Sequence, residues 1–261
     1  MINQIILSTN EDPTYMHFWK PVAWAYKMMF PEVNVHLAFL TNREENDPLV
    51  EDFREYGDVT LFKPIHGIQE FAQSKMIRFI LASKQGDDVC YIDDIDLFPL
   101  RKDFITSKTN NRPMNHLLCV GGEVYQNNGC YPVSQITAEG EVFKKFINPD
   151  NLPWKELMKS YVGPVMFDRR EDPMIPLDFS KDDYFSDERL IRRLRHINPV
   201  PIFEMKRGYD NYLEATLDRA DWKIDKTKLI NHGYANAHCG RPYDVQDCKM
   251  LIEYITRNYV I

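Results

Sequence analysis

No stretch of this 261-residue chain approaches the roughly 20 consecutive apolar residues that a transmembrane helix needs. The opening residues, Met1 to Ser8, have neither the basic start nor the length of a secretory leader. Cysteine is sparse. Five stand at 90, 119, 130, 239 and 248 with no CxxC pair, which argues against a zinc ribbon. An odd count without a leader leads us to expect reduced thiols in a cytoplasmic protein. Positive charge is not in surplus either. With 32 Lys and Arg against 39 Asp and Glu, the net charge is -7, which speaks against a protein held on nucleic acid by electrostatics alone. No Gly/Ser-rich linker, internal repeat or low-complexity segment divides the chain, so the expectation is one domain over residues 1–261.

Hydrophobic residues make up 44% and charged residues 27%, the balance of a globular domain. Aromatics reach 13%, enough to furnish a core and still line a site. The first hundred residues alternate in period. Strands are predicted at Gln4 to Ser8, Asn34 to Leu40, Val59 to Lys63 and Val89 to Ile92. Between them, helices are predicted at Tyr15 to Phe30, where Pro21 threatens a break, at Pro48 to Tyr56 and at Gln69 to Lys84. Such β-α alternation predicts an α/β fold with a mainly parallel, doubly wound central sheet flanked by helices. Ligands of those sheets sit beyond the carboxyl ends of the strands. Residues 101–261 read as a less regular half. It has a strand at His116 to Val120 and helices at Glu139 to Ile147, Pro153 to Tyr161, Glu188 to His196 and Asp244 to Tyr259. A Pro- and Asp-rich loop is predicted over 163–183.

The fourth strand runs straight into acid: Val89-Cys90-Tyr91-Ile92-Asp93-Asp94-Ile95-Asp96-Leu97-Phe98-Pro99-Leu100. Carboxylates are rarely buried unpaired, and acids this close repel unless a cation neutralises them. A hard divalent ion with oxygen ligands is the natural partner. The Asp94-x-Asp96 spacing puts two carboxylates on one face of an extended segment, where both can address one ion.

This segment resembles the DxD motif of GT-A glycosyltransferases, and Asp94-Ile95-Asp96-Leu97-Phe98-Pro99-Leu100 is similar to the DVDLIPM of the β-1,4-galactosyltransferases. The resemblance implies a Rossmann-like GT-A domain. It also implies a site in which Asp93 and Asp94 approach a nucleotide diphosphate sugar while Asp94 and Asp96 hold Mn2+ or Mg2+. Residues 1–100 would bind the donor, with a UDP-sugar favoured, and 101–261 would hold the acceptor and the catalytic groups. By the same likeness Ser8, Thr9 and Asn10, after the first strand, meet the base and ribose. Lys75 and Arg78, three apart on one helix face, approach the diphosphate, for which a cationic pair is suited.

Late in the chain, Ile230-Asn231-His232-Gly233-Tyr234-Ala235-Asn236-Ala237-His238-Cys239-Gly240-Arg241-Pro242-Tyr243 looks like a compressed form of the H-x-x-G-x-x-K-P-W of glycosyltransferase family 8. That likeness implies a metal-binding histidine and a phosphate-binding Arg241. The spacing fits neither histidine fully, so both His232 and His238 stand as candidate ligands. Asn127-Asn128-Gly129-Cys130 resembles the N-x-G segment of the same family. Phe185-Ser186-Asp187-Glu188 is similar in position and chemistry to the late acidic pairs of GT-A enzymes. It makes Asp187 and Glu188 the candidate catalytic carboxylates: a general base if the transfer inverts, a grip on the donor sugar if it retains.

The reading is a metal-dependent glycosyltransferase acting on a glycan or other hydroxyl acceptor. The acidic balance disfavours a nucleic-acid acceptor without excluding one. A nucleotidyltransferase is the enzymatic alternative. It usually carries a Gly-rich phosphate loop after the first strand, and Ile6-Leu7-Ser8-Thr9-Asn10-Glu11-Asp12 has no glycine. A non-catalytic nucleotide- or sugar-binding module is the other alternative. It has no need of the acid pair, the late histidine and Asp187 together.

Overall fold

The computed structural model describes residues 1–109, 112–120, 131–162, 186–205, 216–219 and 222–259. Its regular half follows the predicted alternation closely. Strand β1 (Gln4–Asn10) leads through α1 (Pro13–Met16) and α2 (Trp19–Met29) to β2 (Asn34–Leu40). Helix α3 (Pro48–Arg54), β3 (Asp58–Phe62), α4 (Glu70–Ala82) and β4 (Val89–Ile92) follow. Beyond them lie β5 (Leu97–Pro99), α5 (Lys102–Thr109), β6 (Leu117–Val120), β7 (Ile136–Glu139), α6 (Gly140–Ile147), α7 (Trp154–Val162), α8 (Ser186–Ile197), β8 (Ile202–Met205), β9 (Thr216–Leu217) and β10 (Asn236–His238). A short helix, Lys226–Ile230, precedes β10, and the helix Val245–Tyr259 follows it.

The main sheet has seven strands in the order β3-β2-β1-β4-β7-β6-β8. Strands β1 to β4 are mutually parallel where they pair; β7 runs antiparallel to both β4 and β6. Strand period two sorts the core into two layers. Ile5 and Leu7, with Val35, Leu37 and Phe39, face α2, α3 and the helix Val245–Tyr259. Ile6, Ala38, Leu40, Cys90 and Ile92 face α4, α6, α7 and α8. The result is helices on both faces of a mainly parallel sheet.

Several sequence expectations shift. The aromatic-rich helix is broken, but not by Pro21: the break is at His17 and Phe18, and Pro21 sits in the first turn of α2. A first-turn residue has no intrahelical acceptor for its N–H, so a proline there costs little. Asp12 closes the turn before α1 by accepting from the Thr14 N–H at 2.8 Å. Strands β5, β7, β8, β9 and β10 and helices α5 and Lys226–Ile230 were not foreseen. The Asn127-Asn128-Gly129-Cys130 segment and the 163–183 loop lie outside the described residues. No described helix is long and apolar enough to cross a membrane. Of the cysteines, Cys90, Cys119, Cys239 and Cys248 are buried and unbridged.

Candidate active site

Strand order reverses at β1. Its successor β2 lies on one side and β4 on the other, so the crevice beyond β1 and β4 is the topological switch point where ligands of open α/β sheets bind. A cleft of about 390 Å³ opens there. Its walls include Ser8, Thr9 and Asn10 from the end of β1, Lys75 and Arg78 from α4, Asp94 and Asp96 after β4, Asp187 and Glu188 from α8, and His238 and Arg241.

The acids reach the cleft because β4 ends abruptly. Its four residues are buried, and the last ladder bond is from the Asp93 N–H to the Ile6 carbonyl at 3.2 Å. The chain then turns rather than staying extended: the Leu97 N–H returns to the Asp94 carbonyl at 3.1 Å. Ile95 plugs the core under this turn, and Asp94 and Asp96 flank it. The turn thus brings together the two carboxylates that an extended strand was expected to align.

Strand β5 explains how a residue so late in the chain joins them. It pairs antiparallel with β10, setting His238 opposite Leu97, and the Cys239 N–H donates to the Asp96 carbonyl at 2.9 Å. Asp94, Asp96 and His238 can each offer a ligand atom, and these atoms all lie within 4.8 Å of one another. Two carboxylates and an imidazole are a donor set that can hold a divalent metal ion. His232, the other candidate, stays outside this group. It occupies a turn after Lys226–Ile230 with a φ of 57°, its Nδ1 bonded to the Tyr254 hydroxyl.

Asp93 also turns away. It is buried beneath the cleft, where its carboxylate accepts from the Tyr26 hydroxyl at 2.6 Å and the Tyr91 hydroxyl at 3.3 Å. Burial pushes this carboxyl up to about 7, with the Tyr26 bond working against the rise. Asp94 moves the other way. Burial alone would raise it, but the charge and hydrogen bond of Arg78 hold it below the ordinary carboxylate range.

Arg78 is the hub of the α4 wall and only 3% exposed. It reaches Asp94 at 2.5 Å, the Asp93 carbonyl at 2.9 Å and Asp187 at 3.6 Å. Lys75, one turn earlier on the same face, lies 3.2 Å from Asp187. Asp187, 2% exposed at the start of α8, is therefore tied to both cations of α4. The predicted Lys75–Arg78 face and the predicted acid at 187 meet each other as well as the cleft.

Arg241 comes within 3.4 Å of Asp96 and covers the Tyr15 ring, its guanidinium carbon 4.8 Å from the ring centre. Arg219 was not foreseen. It lies just past β9, which pairs parallel with β10, and this places it beside His238. Its Nη1 is 2.8 Å from Asp96 Oδ2 and 2.7 Å from His238 Nε2. Nothing in the sequence around Leu217-Asp218-Arg219 forms a motif, and β9 is only two residues long.

Two influences meet on His238. Burial lowers its pKa, but the hydrogen bond and charge of Asp96 prevail and raise it. The Arg219 contact at 2.7 Å is shorter than the 3.5 Å to Asp96 and calls for a lone pair on Nε2, because a guanidinium only donates. That contact fits a neutral imidazole with its proton on Nδ1, the form in which histidine binds a metal; a protonated imidazole would instead turn an Nε2–H towards Asp96.

No protein-family model matches the chain, and no curated protein matches it. Among solved structures it is similar to the galactosyltransferase LgtC in complex with donor and acceptor sugar analogues. That likeness has a TM-score of 0.51 at 14% identity and covers 99% of this chain and 97% of that one. A second LgtC structure, of an active-site mutant with glutamate in place of a glutamine, gives a TM-score of 0.53 at 13% identity, covering 97% of this chain and 94% of that one. At these identities the likeness is one of fold, and the fold of this chain is the GT-A fold.

Proposed function

We propose that the protein is a metal-dependent glycosyltransferase that moves a sugar from a nucleotide diphosphate sugar, UDP-linked by preference, to the hydroxyl of a glycan or similar acceptor. The observation that carries this reading is the convergence of Asp94, Asp96 and His238 at the switch point of a GT-A sheet, ringed by Lys75, Arg78 and Arg241. LgtC, of the same fold, is a galactosyltransferase seen in complex with donor and acceptor sugar analogues.

Asp94, Asp96 and His238 would hold the ion, Mn2+ or Mg2+, which stabilises charge on a leaving diphosphate. Arg241 and the α4 cations suit the phosphate oxygens. Ser8, Thr9 and Asn10 line the cleft at the end of β1 with short polar groups suited to the edges of a base and ribose. The lack of glycine in that loop weighs against a nucleotidyltransferase.

Asp187 belongs to the donor side of the cleft. Its two oxygens already face Lys75 and Arg78, and Arg78 is shared with Asp94. This favours a carboxylate that grips the donor sugar, the role expected of it in a retaining transfer, over one that takes the acceptor proton. Asp187→Asn should then weaken donor binding along with turnover. A normal donor affinity with turnover down about 10²- to 10⁴-fold would restore the role of base.

Thermal melting with a panel of nucleotide sugars, each with Mn2+, tests the donor class. A true donor at 100 times its dissociation constant stabilises by about 2.7 kcal/mol. No shift with any nucleoside diphosphate sugar would contradict the reading.

A further inference from the structure

Arg219 stands where a cation is wanted. Asp96 is 4% exposed, and a buried carboxylate requires a positive partner. In this structure the nearest is Arg219, whose Nη1 touches both Asp96 Oδ2 at 2.8 Å and His238 Nε2 at 2.7 Å. These are two of the three residues that could hold a metal ion. A guanidinium nitrogen and a divalent ion cannot share those two partners. Each needs the same lone pair of His238, and their charges repel at such a distance. Arg219 is suited to leave. It follows a two-residue strand, and its side chain swings on several single bonds. Asp218 beside it has a side chain 55% exposed and that of Arg219 is itself 24% exposed, so the guanidinium has an open side to swing into.

We propose that Arg219 is a built-in competitor of the metal. It neutralises Asp96 and occupies His238 while the site is unloaded, and it must withdraw for a divalent ion to enter. This rests on the metal-dependent reading above and adds a residue to it. The consequence runs against the usual effect of deleting a site residue: truncating Arg219 should tighten metal binding.

The test is Mn2+ binding without nucleotide, followed by the electron paramagnetic resonance signal of the free ion. The wild type, Arg219→Ala, Arg219→Gln and Asp96→Asn are compared. Arg219→Ala and Arg219→Gln should bind Mn2+ about 10- to 100-fold more tightly than the wild type, the factor that charge-assisted contacts supply. Mn2+ should also raise their melting temperature by more than it raises that of the wild type, which keeps the test valid if removing Arg219 loosens the fold. Asp96→Asn should lose binding. Equal or weaker affinity in both Arg219 variants, with Asp96→Asn still deficient, overturns the competition and leaves the metal site standing. No Mn2+ binding by any of the four proteins overturns the competition and the metal reading together.

Discussion

Asp96 is the most heavily engaged acid of the cleft, with Arg219, Arg241 and His238 within 3.5 Å of its Oδ2. That cationic groups would gather around it was legible because three acids directly after a buried strand demand a cation close by. The histidine was not resolved by sequence. His232 and His238 both fit the Gly-rich wording, and what separates them is the pairing of β10 with β5 across more than a hundred residues. Deletion separates them experimentally. His238→Ala should weaken Mn2+ binding by about 100-fold or more, whereas His232→Ala should leave it unchanged, as calorimetric titration would show. Equal losses would return His232 to the site. Arg241→Ala should weaken nucleoside diphosphate binding by about 1.5–3 kcal/mol, the range for a hydrogen bond to a charged group. An unchanged dissociation constant would place Arg241 outside the phosphate site.

Elements of seven residues or more in the first half announced themselves by period. Strand β2 and helix α4 stand within two residues of where their patterns put them. Apart from the eight-residue α5, the elements missed are too short to show a period, above all β5, β9 and β10, of two or three residues each. These strands form the small sheet that carries His238 and Arg219 to Asp96. The part of the site that was hardest to read is thus the part assembled by long-range pairing rather than by local pattern. Helix α2 adds a different link, since its Tyr26 hydroxyl supports Asp93 directly beneath the cleft. Tyr26→Phe leaves a buried carboxyl one donor short and should cost about 1–3 kcal/mol in urea unfolding. Mn2+ affinity should be little changed, because Asp93 does not face the cleft. Unaltered stability would show that Tyr26 is not needed there.

The molecule as a whole joins a regular parallel half to a half whose strands come from distant points of the chain, and the cleft lies along their seam. Its stability carries a pH signature away from the site. His36, on β2, accepts or donates one bond at Nε2, to Thr60 at 2.8 Å, while its buried Nδ1 has no partner among the described residues. Burial holds its pKa below 6.5, against the pull of Asp58. The unfolded chain therefore takes up a proton at a higher pH than the folded one. The contribution of His36 to stability should be full above pH 6.5 and be lost as the pH drops from there towards the folded-state pKa, while the raised carboxyl of Asp93 works in the opposite sense. The urea midpoint of His36→Gln relative to the wild type should rise as the pH drops below 6.5; a constant difference would assign the effect to other groups. The central claim is that the acid pair serves a metal-dependent transfer from a nucleotide sugar. The most direct measurement is nucleoside diphosphate release from a panel of nucleotide sugars, in Mn2+ and in chelator, by wild type and Asp96→Asn. The account predicts release by the wild type that needs Mn2+ and is abolished in Asp96→Asn although the variant remains folded. Release that persists in chelator and in Asp96→Asn, or no release from any donor, would contradict it.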